Sequence, residues 1–391
     1  AYAAFFIMLF TVPRFSSDKL LFVIASLTIL FNSIGMEWLY QSLEKYSYIT
    51  VRSLIFKAIA VVAMFVFIHG QEDYIIYGAI SIFAVSASNI LNFINLHNLI
   101  DIALPFRRGG CRLNFRRHLK PVLIFFAMTC ATTIYMNLDN VMLGFMKGDT
   151  DVGLYSAAVK IKVILVSVVT SMGVVLLPRS SFYLQNDRKE EFERISRRAM
   201  KLVVLIAAPV SLFFMLFSSE CIHVLSGNGF EGAIIPMMII TPAVFFIGMR
   251  NITGIQILLP LGKERIVLYS EIAGACLDFV INIILIPKIA SAGAATGTLA
   301  AEVLVWLIQI VILRKYFRGI YRSVNFKIVI PALILSAAAS FWIHWTGLVN
   351  ILKLVISVVL FFGVYLAILL IFKEPMVTEI LKNLNNKLKR T

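Results

Sequence analysis

Arg250 is a permanently charged residue within an otherwise apolar stretch, "FFIGMRNITGIQILLP" (245–260). A charged side chain at the centre of a bilayer costs a few kcal/mol or more, so such residues are rare and usually functional. A guanidinium stays charged at any working pH, and its planar fork donates two parallel hydrogen bonds to a phosphate. We therefore predict that Arg250 binds an anionic ligand group, with Asn251 beside it as a second substrate-binding residue.

Other charged residues also lie deep in apolar runs. Lys57 and Lys160 are further candidate substrate-binding cations. The candidate ion-coupling carboxylates are Asp278, Glu271 and Asp139. At about 1.5 Å per helical residue, Arg250 and Asp278 lie equally far, about 20 Å, from the turn near residues 262–264. We therefore expect these two side chains to meet near the middle of the membrane, with Glu271 nearer the turn.

Each of these charges also has a purely structural interpretation. Three pairs could be ion pairs that hold helices together: Arg250–Asp278, Asp139–Lys160 and Glu37–Arg52. We favour this interpretation for the last pair, which lies close to the membrane interface, and leave it open for the second. For the deep residues Arg250, Lys57 and Asp278 we favour a functional role, because charges at such depth need a bundle interior or a wet cavity.

Asparagines recur at three-residue spacing near the end of the apolar run 73–98. Asn89 and Asn92 could hydrogen-bond hydroxyl groups of a substrate, and both are candidate substrate-binding residues. The alternative, which the pattern favours, is ordinary polarity near the interfacial end of a helix.

The elements that carry these residues are helices long enough to span a bilayer. Of the 391 residues, 60% are hydrophobic and 15% are charged, and apolar runs of about 20 residues recur along the chain. The chain is therefore predicted to be an all-α polytopic membrane protein, because a β-barrel would show short alternating segments instead. The runs are 1–11, 20–41, 48–69, 73–98, 120–144, 152–178, 200–224, 232–259, 265–287, 291–313, 326–345 and 350–371.

The sequence lacks a catalytic triad, a phosphate-binding Walker loop and a His/Glu metal motif, which argues against an enzyme or an ATP-driven pump. No cofactor or metal is expected. The four cysteines have no metal spacing, so we expect free thiols at Cys111, Cys130, Cys221 and Cys276.

The net charge of +15 is concentrated in alternate loops, such as those with Arg107–Arg108 and Arg197–Arg198, whereas the intervening loops are nearly neutral. Basic loops stay in the cytoplasm, so the charge indicates membrane orientation and attraction to anionic lipid, and no nucleic-acid partner is expected. This places the C-terminus in the cytoplasm, where residues 374–391 are predicted to form an amphipathic helix on the inner leaflet.

Two stretches echo each other, "IGMEWLYQ" (34–41) and "IGMRNITG" (247–254). If about two helices precede Ala1, both stretches lie in the fourth helix of a six-helix half, and repeated halves are common in transporters. The predicted plan is two pseudo-symmetric six-helix halves plus two extra helices. Its parts are an N-terminal bundle (1–100), a basic cytoplasmic linker (101–119), a C-terminal bundle (120–313), the extra pair (326–371) and the tail (374–391).

Two longer motifs carry a family resemblance: "GMEWLYQSLEKYSYITVRS" (35–53), and "MNLDNVMLGFMKGDTDVGLYSAAVKI" (136–161) with the "LLPR" that follows it. They resemble the bacterial flippases of O-antigen and capsule repeat units, within the multidrug/oligosaccharidyl-lipid/polysaccharide exporter superfamily. The resemblance implies a multidrug-and-toxin-extrusion-like fold with two bundles around a central cavity. It also implies transfer of an undecaprenyl-pyrophosphate-linked oligosaccharide to the outer leaflet of the bacterial inner membrane, by alternating access.

In this interpretation Arg250 and Lys57 bind pyrophosphate, and the carboxylates couple transport to H⁺ or Na⁺. Other polysaccharide-assembly membrane proteins are possible partners. Two alternatives stay open. The first is a cation or drug antiporter of the same fold, which would favour an acidic cavity. The second is a membrane-embedded polysaccharide polymerase or ligase, although the outer loops are short for a catalytic cleft. A scaffold protein would not explain the buried charges.

Overall fold

The computed structural model of the chain describes residues 2–11, 18–43, 45–96, 119, 126, 136–314 and 324–379. These residues form helices and contain no strand. Within the described ranges, eight helices are long and apolar enough to cross a membrane. The predicted all-α polytopic architecture is therefore confirmed. The linker 101–119 apart from Leu119, the tail beyond Glu379, and Cys111 and Cys130 lie outside the described residues.

The chain divides into two compact units, Ala1–Leu119 and Lys120–Thr391. The first unit contains α1 (Tyr2–Thr11), α2 (Lys19–Gly35), α3 (Glu37–Ser42), α4 (Tyr46–Phe67) and α5 (Tyr74–Asn95). The apolar run 20–41 was predicted as one span, but it breaks at Met36, which has a left-handed φ of 41°. Helix α2 therefore ends at Gly35.

The second unit begins, in its described part, with a helical stretch at 136–146. Its further helices are α6 (Asp149–Gln185), α7 (Lys189–Leu216), α8 (Ser218–Leu225), α9 (Ile234–Ile240), α10 (Ala243–Arg250), α11 (Glu264–Leu313), α12 (Phe326–Phe341) and α13 (Asn350–Ile371). A π-helix, Asn251–Leu258, follows α10 directly. Apolar side chains from these helices form one buried core, which includes Leu143, Met200 and Ile257.

The segment from Glu231 to Leu258 is long and apolar enough to cross a membrane, and it is an interrupted helix. A turn at Thr241–Pro242 separates α9 from α10, because proline has no N–H to continue the helical ladder. The second interruption is the π-helix, in which Leu259 N–H donates to the carbonyl of Gly254 at 2.9 Å. Such i→i+5 segments are rare and frequently mark functional sites.

Helix α11 is a hairpin of two antiparallel halves rather than one rod. The backbone leaves helical geometry at Ile289 and Ala290, where Ala290 has a φ of 47°. Small residues let the halves approach closely: a Cβ on Gly293 would lie 2.6 Å from the carbonyl carbon of Leu285. The halves correspond to the predicted runs 265–287 and 291–313.

The last two spans, Phe326–Trp345 and Asn350–Ile371, match the predicted extra pair within a residue. They pack against each other and against α7. The hydroxyl of Tyr365 donates to the carbonyl of Leu205 at 3.2 Å. At the other end of the pair, the His344 ring lies 2.8 Å from the Glu220 carboxylate.

Candidate functional site

Arg250 lies at the end of α10 and contacts carboxylates on both halves of the α11 hairpin. Its Nη1 pairs with Glu271 on the first half, and its Nε lies 2.5 Å from Oε2 of Glu302 on the second half. The side chains of Arg250, Glu271 and Glu302 are 21%, 30% and 7% exposed. We name these three residues the arginine cluster. One edge of it is therefore accessible, whereas Glu302 is enclosed.

The predicted Arg250–Asp278 pair is wrong, because Arg250 pairs with Glu271 and Glu302 instead. The prediction assumed a rise of 1.5 Å per residue from the turn to Arg250. The π-helix Asn251–Leu258 places more residues in each turn, and Leu259–Gly262 form the turn itself. Arg250 is therefore closer to the turn in height than Asp278, and it meets the carboxylate that had been placed lower.

A second buried polar group surrounds Asp139, on the helical stretch 136–146. One of its carboxylate oxygens accepts hydrogen bonds from Tyr155 (2.5 Å) and Thr298 (2.7 Å). The other accepts one from the amide of Asn282 (2.6 Å), which also lies 3.3 Å from Asp278. We name these five residues the carboxylate cluster. It joins the first helical stretch of the described unit, α6 and both halves of α11.

Gly297 is the reason that the two halves of α11 can close around this group. A Cβ at that position would lie 2.5 Å from Oδ1 of Asn282 and 2.6 Å from Oδ1 of Asp278. The glycine thus leaves space for two polar side chains on the opposite half. Asp278 and Asn282 are one helical turn apart and are 3% and 0% exposed.

The Asp139–Lys160 ion pair, which the sequence left open, does not form in the structure. Lys160 is exposed, and Asp139 is occupied by Tyr155, Thr298 and Asn282. The nearby lysine that interacts electrostatically with Asp139, Asp278, Glu302 and Arg250 is Lys162. Two residues along a helix rotate the side-chain direction by about 200°, so Lys162 points to the opposite face from Lys160.

Sequence reasoning missed several residues of these clusters: Lys162, Glu302, Asn282, Tyr155 and Thr298. Glu302 had a detectable signal, because it is the one carboxylate in the apolar run 291–313. Lys162 is likewise a charge in an apolar run. The polar but uncharged members had no such signal, since hydroxyl and amide side chains are common in membrane helices.

Polar side chains also link the π-helix to α11. Thr253 donates to Oε1 of Gln309 at 2.6 Å, and the amide nitrogen of Gln309 donates to Ser270 at 3.1 Å. The amide of Gln309 also lies against Gly254, where a Cβ would be 3.1 Å away. Asn251, a candidate substrate-binding residue, lies 3.4 Å from the amide nitrogen of Gln256. The irregular segment next to Arg250 is thus fixed on both halves of the hairpin.

In the first unit, the two candidate asparagines join helices. Asn89 donates to Asn32 at 2.9 Å, and Asn92 donates to the carbonyl of Gly35 at 2.8 Å. Both are buried, so their amides stabilise the packing of α2 on α5. This differs from the ordinary interfacial polarity that the sequence pattern favoured, and substrate binding by these amides stays a prediction. Lys57 is exposed.

The predicted Glu37–Arg52 pair is wrong as well. Glu37 is exposed, whereas Arg52 is buried, with its guanidinium 5.7 Å from the centre of the Tyr48 ring. The break at Met36 begins a separate short helix at Glu37. The side chain of Glu37 therefore points in a different direction from the one that an unbroken helix would give it.

Cys221 is buried and Cys276 is exposed, and both are free thiols as expected. Within the described part of the chain, no three His, Cys, Asp or Glu side chains are grouped as a metal-binding set. The oxygen-rich carboxylate cluster is instead the kind of environment that suits a proton or a hard monovalent cation.

The fold and the buried clusters define a polytopic helical membrane protein with ionisable groups inside a bundle, an arrangement that marks substrate and ion pathways. Comparison with known proteins agrees. Residues 1–184 match the family described as polysaccharide biosynthesis protein, and residues 125–284 match the MatE family. These matches confirm the resemblance to the polysaccharide flippases of the multidrug/oligosaccharidyl-lipid/polysaccharide exporter superfamily.

Two similar proteins are described as O-antigen transporters. The one from Escherichia coli (strain K12) is 27% identical over 290 residues, which are 73% of this chain and 68% of that protein. The one from Shigella dysenteriae is 24% identical over 295 residues, 74% of this chain and 71% of that protein. In fold, the chain is similar to the lipid II flippase MurJ in an inward closed conformation, with a TM-score of 0.68 and 15% identity over 91% of this chain and 74% of MurJ.

Proposed function

We propose that the protein is a flippase, which moves an undecaprenyl-pyrophosphate-linked oligosaccharide across the bacterial cytoplasmic membrane by ion-coupled alternating access. The observation that carries the proposal is a guanidinium, Arg250, held inside a membrane bundle by two carboxylates with one edge accessible. The similarity to O-antigen transporters supports this substrate class. The basic loops face the cytoplasm, as does the C-terminus.

Arg250 binds the pyrophosphate by exchanging partners. In the described state its charge is balanced by Glu271 and Glu302, so it does not remain as an unpaired buried cation. Glu271 is the more exposed partner, at 30%, and it is the one that a phosphate displaces. Glu302 then keeps the guanidinium in position while its free edge forms two parallel hydrogen bonds with the substrate.

The carboxylates supply the coupling to an ion gradient. Four carboxyl groups, Asp139, Asp278, Glu271 and Glu302, share this interior with two cations, Arg250 and Lys162. An uncompensated negative charge is costly at this depth, so the site favours uptake of H⁺ or Na⁺. The carboxylate cluster is the site of uptake, because its oxygen atoms converge from four helical segments.

Glu271 lies on the same half of α11 as two members of the carboxylate cluster, Asp278 and Asn282. Glu271 and the cluster both affect the charge around Arg250. Once one monovalent cation offsets one of the two negative charges of Asp139 and Asp278, less negative charge remains near Lys162, and its electrostatic interaction with Glu302 gains weight. Arg250 is then held less tightly by Glu302 and accepts phosphate more readily. Ion binding thereby favours substrate binding, and this is the reciprocal link that coupled transport requires.

The excess of carboxylates also supports a second candidate, a cation or drug antiporter of the same fold. A cationic substrate would bind directly where the carboxylates outnumber the basic residues. The two candidate functions require different roles of Arg250. A flippase requires it to bind the substrate, whereas an antiporter requires only that it balance part of the negative charge.

Disruption of the gene in its host tests the proposal directly. Cells without the protein should accumulate undecaprenyl-pyrophosphate-linked oligosaccharide on the cytoplasmic leaflet, and the intact gene should restore surface polysaccharide. Surface polysaccharide that is unchanged, together with new sensitivity to cationic drugs, would favour the antiporter and exclude the flippase.

A further inference from the structure

Four basic residues form a stripe along the charged end of α7. Arg194, Arg197, Arg198 and Lys201 have the spacing i, i+3, i+4 and i+7, which places them on one helical face. Lys201 is followed by residues 202–216, which contain no charged side chain. The stripe is therefore about 10 Å long at 1.5 Å per residue and starts where the apolar part of the helix ends. If α7 spans the bilayer, the stripe lies at the height of the lipid headgroups.

A groove lies between this basic stripe, which is one wall, and the residues after α13, which form the other wall. Glu374 is fully buried, and its Oε2 accepts hydrogen bonds from the backbone N–H groups of Met376 (2.9 Å) and Val377 (3.0 Å). Its other oxygen pairs with Lys201. Met376 packs in an apolar cluster with Leu205, Tyr365 and their neighbours. The wall is thus fixed to α7 by one buried ion pair and one buried apolar side chain.

The open space between these two walls has a volume of about 290 Å³, close to the lower end of the range for ligand pockets, roughly 300 Å³. We name it the basic groove. Its lining residues are Arg194, Arg197, Arg198, Lys201, Pro375, Met376 and Glu379. It is basic on one side, has the apolar Pro375 and Met376 on the other, and lies beside the start of the membrane-spanning part of α7.

The ion pairs at the rim of the groove are readily exchanged. Arg198 pairs with Glu379, and Arg197 pairs with Glu193 at 2.9 Å, but all four side chains are about half exposed. Exposed pairs of this kind contribute little to stability. In the part of the chain that the structure describes, Arg194 has no carboxylate within ion-pair distance. A phosphate can therefore bind to Arg194 and compete for Arg198 without breaking the buried Glu374–Lys201 pair.

We propose that the basic groove binds the phosphate of an anionic phospholipid, such as phosphatidylglycerol, from the leaflet on that side of the membrane. The arginines bind the phosphodiester, and the glycerol end of the lipid lies against Pro375 and Met376, with its acyl chains beside the apolar part of α7. In the proposed orientation this is the inner leaflet, but the binding itself does not depend on the orientation or on the transport function.

The test is native mass spectrometry of the purified full-length protein in detergent, titrated with phosphatidylglycerol, phosphatidylcholine or inorganic phosphate. The groove variant is Arg194→Gln with Arg198→Gln. The control is Arg265→Gln with Arg314→Gln, which removes the same charge from two exposed residues outside the groove. We expect the groove variant to lose affinity for phosphatidylglycerol by about 30-fold and the control to change by less than about threefold.

Equal losses in both variants would show diffuse attraction to the surface and overturn the site. Equal binding of phosphatidylcholine by the wild type would exclude recognition of an anionic lipid. Saturable binding of inorganic phosphate that the groove variant abolishes would identify a free phosphate ligand and refute the lipid source. If the double variant does not fold, Arg194→Gln alone decides: affinity for phosphatidylglycerol should fall about fivefold, and an unchanged affinity contradicts the proposal.

Discussion

Arg250 and Glu302 depend on each other because Glu302 is only 7% exposed. Replacement of Arg250 by Ala leaves this carboxylate buried without its guanidinium, which costs about 3–5 kcal/mol when one partner of a buried pair is removed. We therefore expect Arg250→Ala to lower the thermal unfolding temperature of the purified protein clearly, measured in detergent. Arg250→Lys should lower it less, because the charge is retained and the fork is lost.

The double change Arg250→Gln with Glu302→Gln separates substrate binding from ion pairing. It removes one positive and one negative charge, so stability should return to near the wild-type value. Under the proposed function, transport should stay lost, because no guanidinium remains for the pyrophosphate. Recovery of both stability and transport would show that Arg250 has only a structural role, and the substrate assignment would then be abandoned.

Thr298 and Thr296 provide a matched pair for the coupling ion. Thr298 donates to Asp139 at 2.7 Å, whereas Thr296 donates only to its own helix, at the carbonyl of Ala292 (2.8 Å). Thr298→Val should raise the Na⁺ concentration for half-maximal transport about tenfold, because the cluster loses an oxygen ligand for the ion. Thr296→Val should leave it unchanged. The measurement is transport in proteoliposomes against a range of Na⁺ concentrations and of pH.

If both threonine variants behave like the wild type, the carboxylate cluster does not bind the coupling ion. Asp278→Asn then decides what the cluster does. A large loss of stability with transport intact in the surviving protein would show that the five residues only hold helices together.

At the scale of elements, the α11 hairpin depends on close backbone contact. The Cβ of Ala at position 293 would meet backbone atoms of Leu285 and Ile286 at 2.6–2.8 Å, and backbone cannot move aside as a flexible side chain can. We expect Gly293→Ala to destabilise the protein by about 1–3 kcal/mol, the usual cost of overpacking. The control is Gly363→Ala in α13, where a Cβ meets nothing within 4 Å.

Gly363→Ala should be neutral or slightly stabilising, because Ala is the better helix former. Thermal unfolding in detergent compares the two variants directly. A Gly293→Ala protein as stable as Gly363→Ala would mean that the two halves of α11 are farther apart than the structure has them, and the close packing around Gly297 would then be in doubt as well.

The positions of some of these elements could be predicted from the sequence, and those of others could not. Apolar runs located both halves of α11 and the pair α12–α13 within a few residues, because length and hydrophobicity alone determine a membrane span. The break before α10 also has a sequence signal, Pro242, which lacks the N–H that a continuous helix needs. The π-helix after Arg250 could not be predicted, since no residue type requires it. Because it places Arg250 nearer the turn than a regular helix would, the sequence paired Arg250 with the wrong carboxylate.

The candidate site was therefore predicted in part. Arg250, Glu271, Asp139 and Asp278 all belong to partly buried polar clusters, because a charge in an apolar run is usually inside a bundle. Pairing could not be predicted, since it depends on which helix faces which and on heights within about one turn. The hydrogen-bond partners of Asn89 and Asn92 could not be predicted for the same reason, and in the structure their amides join α2 to α5.

At the scale of the whole molecule, the distribution of charge predicts the orientation in the membrane. The segment Glu231–Leu258 is long and apolar enough to cross a membrane once. The nearly neutral loop "SGNGFEG" (226–232) lies at its start, and the basic turn with Lys263 and Arg265 follows it. If basic loops remain in the cytoplasm, Asn228 faces the outside and Arg265 the inside. Both residues are exposed, so a cysteine at either position can react.

We expect Asn228→Cys to react with a membrane-impermeant thiol reagent applied to intact spheroplasts, and Arg265→Cys to react only after the membrane is permeabilised. Both variants are made in a protein whose four native cysteines are replaced by Ala. Asn228 is preferred over the neighbouring Gly229, whose φ of 101° a cysteine would adopt only with strain. The reverse labelling pattern would show that the charge distribution does not set the orientation. Reaction of both cysteines from outside would show that Glu231–Leu258 does not cross, and Arg250 would then no longer be a charge inside the membrane.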